Sequence, residues 1–138
     1  MKHDELTSII IGICIAIHTK LGPGLLESVY EELICYELAK LNIPFARQKA
    51  IPVIYDGIKF DIGFRADIIV DDRIHLEIKS IEKIQPVHFK VALTHMKLAH
   101  LEVGLLINFN VKLLKDGITR LVLENTSNHS TEERDTLY

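Results

Sequence analysis

At Phe45 the apolar residues of this chain change period, and that change dictates which folds are open to it. Upstream, Leu6, Ile9, Ile10, Ile13, Ile17 and Leu21 recur at helical spacing with a broad apolar face, with Asp4 or Thr7 placed to cap the start. This first helix covers Asp4 to Lys20 and ends at the breaker cluster Gly22-Pro23-Gly24. Leu25, Leu26, Val29, Leu33 and Leu38 then resume the helical period, with Glu27, Glu31, Glu32 and Glu37 on other faces, as far as Asn42-Ile43-Pro44. Downstream the runs are short and β-like: Ala50 to Tyr55, Ile58 to Val70 and Arg73 to Ser80, divided by turns at Asp56-Gly57 and Asp71-Asp72. Pro86 opens a third helix reaching about His100, followed by strands Val103 to Phe109 and Ile118 to Leu123 with a turn at Lys115-Asp116-Gly117.

A helix between the third and fourth strands permits a parallel crossover, so the predicted fold is α/β. Its sheet is mixed, a three-stranded antiparallel meander plus a crossover strand, flanked by helices. At 48% hydrophobic and 25% charged, residues 1–124 suit one globular domain, and the polar, aperiodic tail 125–138 is expected to be disordered. The longest apolar run, Ile9 to Ile17, falls short of the roughly 20 residues that cross a bilayer, so no membrane span is expected. Met1-Lys2-His3-Asp4-Glu5 lacks a cleavable-signal pattern, which points to the cytoplasm. Cys14 and Cys35 lie in apolar helical stretches and read as reduced, buried thiols. A net charge of −3 offers nucleic acid no overall attraction, so such a partner would need a local patch drawn from Arg47, Lys49, Lys79, Lys83, Lys90 and Lys97.

Three charged residues lie inside strands otherwise rich in β-branched side chains: Asp67, Glu77 and Lys79. Alternation puts Glu77 and Lys79 on one face. A three-residue turn or a bulge at Asp71-Asp72 sets Asp67 opposite Glu77, whereas a strict two-residue turn does not. Two converging carboxylates suit Mg²⁺ or Mn²⁺, with Lys79 beside them to act on water or on developing phosphate charge. Spacing alone fits a solvated salt-bridge network at least as well.

The run Leu21-Gly22-Pro23-Gly24-Leu25-Leu26-Glu27-Ser28-Val29-Tyr30-Glu31 resembles the signature of the GxxExxY family, matched by Gly24, Glu27 and Tyr30. That family is assigned to the PD-(D/E)XK nuclease superfamily. The resemblance continues through Phe64 to Asp67, Glu77 to Ser80, Pro86-Val87-His88, Gly104 to Phe109, Gly117-Ile118 and Arg120. It implies a restriction-endonuclease-like core and a metal-dependent nuclease. Asp67, Glu77 and Lys79 would be its acidic pair and lysine, with Asp67 and Glu77 as metal ligands and Glu27 as a further catalytic carboxylate. Tyr30, His88 and Lys90 are candidate substrate contacts, although packing suits Tyr30 better and capping or packing at the helix start suits His88 better. The chain departs from the family where Val91 stands for its usual glutamine and His95 for its tyrosine. His88, His95 and His100 do not have zinc-site spacing. Two other readings remain: an interaction domain that keeps the fold without catalysis, and a homodimeric module suggested by the apolar first helix and open strand edges.

Overall fold

The computed structural model describes residues 1–124 and the backbone of 132–137. Helix α1 (His3–Leu21) and helix α2 (Glu27–Lys40) lead into strands β1 (Phe45–Tyr55), β2 (Ile58–Val70) and β3 (Ile74–Lys79). Helix α3 (Pro86–Ala99) crosses to β4 (Val103–Asn108), and a short 3₁₀ turn at Leu114–Gly117 precedes β5 (Ile118–Glu124) and β6 (Glu132–Leu137). The sheet order is β1-β2-β3-β4-β5-β6, antiparallel except for the parallel β3–β4 pair that α3 connects. The expected meander plus crossover strand is therefore present, as a mixed sheet between helices.

The local reasons differ from those expected at several points. Helix α1 begins before either expected cap, with Lys2 at its N-cap and no side-chain cap bond. Asp4 instead accepts a hydrogen bond from Arg120 (2.9 Å), and Thr7 is buried. The Asp56-Gly57 turn has both residues at positive φ (58° and 75°), the conformation that matches strand twist in a tight hairpin. Strand β6 pairs along β5 where the sequence reading expects part of a disordered tail. Backbone pairing to an open edge needs no apolar periodicity, so periodicity could not reveal it. The remainder of that tail, residues 125–131 and 138, lies outside the described residues.

Two cores sandwich the sheet. Leu6, Ile10, Cys14, Ile34 and Leu38 of α1 and α2 pack on Ile68, Val70, Ile74, Leu76, Ile78, Leu105 and Ile107. On the other face α3 supplies Ala92, Leu93 and Met96 against Leu106 and Leu121. Gly104 permits that approach: a Cβ there would stand 2.7 Å from the Met96 sulfur and 3.1 Å from the His75 carbonyl oxygen. Cys14 and Cys35 are free and buried, and burial pushes their thiols up to about 12 and about 11, so neither is a ready nucleophile. Among the described residues no helix is long and apolar enough to cross a membrane.

Candidate functional site

The β2–β3 loop uses three residues, because Val70 pairs with Ile74 and Arg73 N–H closes the turn on the Val70 carbonyl (2.9 Å). With Ile68 paired to Leu76, the next position across puts Asp67 in line with Glu77, as the looser turn requires. Their side chains nevertheless leave the sheet on different sides. Glu77 lies between Leu76 and Ile78, which both face the α1/α2 core, so alternation sends it toward α3. Ala66 and Ile69 pack with α3-side residues while Ile68 and Val70 pack with the α1/α2 core, so alternation breaks once at Asp67. The neighbouring strand breaks at the same level: Gln48 has φ 52°, and both Arg47 and Gln48 reach Glu31 of α2. The expectation that Asp67 shares the face of Glu77 fails here, since it assumes unbroken alternation.

On the α2 side, Asp67 and Glu27 line one open cavity of about 740 Å³ together with Glu31, Gln48, Ser80 and Asn110. Ile78 N–H donates to Asp67 Oδ2 (2.9 Å), and Ser80 N–H donates to Glu27 Oε2 (3.0 Å). Glu27 is the first residue of α2, where the helix dipole favours a carboxylate, yet its carboxylate reaches across to the residue after β3. The second oxygen of each carboxylate carries no hydrogen bond among the described residues. Ser80 Oγ–H donates to the Leu25 carbonyl (2.7 Å), tying the end of β3 to the start of α2. Burial holds the Asp67 carboxyl above its ordinary range despite the Ile78 bond, and the charges of Glu31 and Glu77 push it the same way while Lys79 opposes them. Glu31 is buried and is matched by Arg47 Nε (3.0 Å) and Gln48 Nε2 (2.8 Å).

On the α3 side, Glu77 is 4% exposed and its Oε1 meets His75 Nε2 at 3.1 Å and His95 Nδ1 more closely. Burial alone would raise the Glu77 carboxyl, but the bonds and charges of the two imidazoles outweigh it and lower it to about 2. Phe64 stacks on His95 with centroids 3.9 Å apart and meets His75 edge-on, fixing both rings. His75, Glu77 and His95 form a group whose ligand atoms lie within 4.8 Å of one another, and it could hold a metal ion. Its two nitrogens and one oxygen suit a borderline ion such as Zn²⁺, whereas the oxygens of Asp67 and Glu27 suit a hard ion such as Mg²⁺ or Mn²⁺.

The other candidates have defined places. Tyr30 is fully buried, stacks on Phe109 at 4.1 Å, donates its hydroxyl to the Gly22 carbonyl (2.6 Å) and accepts from Leu25 N–H (3.2 Å). It packs the Gly22-Pro23-Gly24 turn against the core and has no surface to offer a substrate. His88 Nδ1 accepts the Gln85 N–H (2.8 Å) in a capping box at the start of α3. Lys90 lies on α3, where its carbonyl accepts from the Thr94 hydroxyl (3.0 Å). Lys79 is half-buried at the end of β3. His75 was missed by the sequence reading although it stands two residues from Glu77 on one strand, a spacing that places both on one face. Glu31 shares a helical face with Glu27 by its spacing of four, whereas Gln48 and Asn110 gave no comparable signal as cavity residues.

This is the arrangement of a nuclease-like α/β domain, with an acidic residue on the second strand, a Glu-x-Lys on the third and a carboxylate from a preceding helix. Residues 4–121 match the family model described as the PD-(D/E)XK nuclease superfamily, and the chain belongs to that superfamily. Comparison with curated proteins and with solved structures returned no match.

Proposed function

We propose that the protein is a Mg²⁺- or Mn²⁺-dependent phosphodiesterase acting on nucleic acid, and that within the superfamily it belongs with the GxxExxY proteins. The observation that carries this reading is the convergence of Glu27 and Asp67, from a helix and a strand far apart in sequence, on one open cavity. Each is anchored through one oxygen by a backbone N–H of β3 or of the residue after it, which leaves the other for a ligand. A bound divalent ion would polarise a scissile phosphate and make its bound water a nucleophile near neutral pH. Asp67 and Glu27 would hold that ion, and Lys79 at the end of β3, which alternation places on the Glu77 side and outside the cavity lining, would act through its charge, which already bears on Asp67. Glu77, held by His75 and His95, would keep a fixed negative charge behind Asp67. Reduced thiols at Cys14 and Cys35 accord with work in the cytoplasm.

A second reading, a binding domain without turnover, is favoured by one local fact. At the positions of the family's glutamine and tyrosine stand Val91, which has no hydrogen-bonding group, and His95, which is committed to Glu77. The two readings part on incubation with single- and double-stranded DNA and RNA in Mg²⁺ or Mn²⁺. Cleavage that EDTA stops supports the enzyme, and Val91→Gln should increase it. Cleavage indifferent to EDTA, or none in any substrate and in Val91→Gln, removes the nuclease reading.

A further inference from the structure

The hairpin formed by β1 and β2 runs well past the rest of the sheet. Strand β3 pairs with β2 only from Ile68 to Val70, so the outer edge of β2 at residues 58–64 carries no strand among the described residues. Every residue from Ile54 to Gly63 is exposed. This two-stranded ribbon nevertheless presents Tyr55, Ile58, Phe60 and Ile62, each more than half exposed. Two strands alone are marginal in water, and such an apolar, unpaired edge ordinarily has an occupant.

The sequence of that edge specifies which one. Ile58-Lys59-Phe60-Asp61-Ile62 reads the same in both directions by chemical type, apart from opposite charges at its second and fourth places. We propose that two copies of the chain join by antiparallel self-pairing of β2 about Phe60, giving a four-stranded ribbon β1-β2-β2-β1 across the two-fold axis. In that register Phe60 faces Phe60 of the other copy, Ile58 faces Ile62, and Lys59 faces Asp61, twice over. An unrelated strand would have no reason to meet this order, whereas a second copy meets it by symmetry. A shift of this register by one or two residues either way sets Lys59 or Asp61 against apolar residues or like charge. The irregularity between Ile51 and Val53 adds two residues to β2 beyond Phe60, and an insertion of two keeps Ile58, Phe60, Ile62 and Phe64 on one face.

Sedimentation equilibrium of the full chain tests the pairing. The wild type should dimerise reversibly with concentration. Lys59→Asp alone places aspartates opposite each other, Asp61→Lys alone places lysines opposite each other, and each should weaken the dimer at least about tenfold. The double variant Lys59→Asp/Asp61→Lys recreates both opposite-charge pairs and should restore the wild-type constant. Circular dichroism should show all variants equally folded, because both positions are solvent-exposed. A chain monomeric at every concentration overturns the proposal, and so does a dimer indifferent to the single reversals or one that the double reversal fails to restore.

Discussion

Asp67 and Glu77 stand across from one another on adjacent strands, yet their carboxyls are displaced in opposite directions. Asp67 is raised by burial and by Glu31 and Glu77, in a cavity whose neighbours are largely oxygen donors. Glu77 is more buried, but His75 and His95 bring it down to about 2. Burial acts the same way on both, so the contrast comes from the partners that each face supplies. On the α2 face Glu31 is matched by Arg47 while Asp67 and Glu27 are held only through backbone N–H groups, and the α3 face presents one carboxylate already matched by imidazoles. The first arrangement has an unmet demand for a cation, while the second meets its own demand.

Removing the demand on the α2 side should have the largest effect. Asp67→Asn keeps an acceptor for Ile78 N–H but loses the charge, so it should abolish the melting-temperature rise given by Mg²⁺ and lower cleavage by ~10²-fold or more. If Asp67→Asn retains the full Mg²⁺ rise, the ion lies elsewhere. Glu77→Gln should leave much of that rise while removing any response to Zn²⁺, read by the same melts.

Acid titration of the metal-free protein should separate the two faces next. The folded Glu77 carboxyl lies below its ordinary 4.5, so its stabilising contribution is present above that value and is lost as pH falls from 4.5 toward about 2. The loss should be on the order of 3 kcal/mol and should largely vanish in Glu77→Gln, as followed by urea unfolding at stepped pH. Wild type and Glu77→Gln losing stability in parallel over that window would refute the imidazole account.

The smallest effect should have the opposite sign. The Asp67 carboxyl is raised, so its contribution is complete below its ordinary 3.8 and is lost as pH climbs through the folded value. At neutral pH without metal, Asp67→Asn should therefore melt higher than the wild type, by less than the Glu77 effect. A lower melting temperature would show that the Asp67 charge supports the fold rather than awaiting an ion.

Much of the fold was legible because it rests on periodicity: the change of period at Phe45, the Asp56-Gly57 turn and Pro86 at a helix start are local signals. The three-residue β2–β3 turn could be named as a condition but not chosen, since Asp71 and Asp72 tolerate both turn lengths and here take φ 52° and 54°. The break at Asp67 was not legible, because it is shared with Gln48 on a neighbouring strand and no single run records it. The contact of His95 with Glu77 depends on where α3 lies over β3, which is set by Gly104 and Met96 rather than by sequence spacing. His75 was within reach by alternation alone.

We assign the oxygen site for a hard divalent ion to Asp67 and Glu27 rather than to Asp67 and Glu77. Anomalous diffraction from crystals grown with Mn²⁺ tests it directly. A peak is expected in the α2-side cavity, roughly 2.1 Å from a carboxylate oxygen of both Asp67 and Glu27. A peak bridging Asp67 and Glu77, or an empty cavity at saturating Mn²⁺, would contradict it.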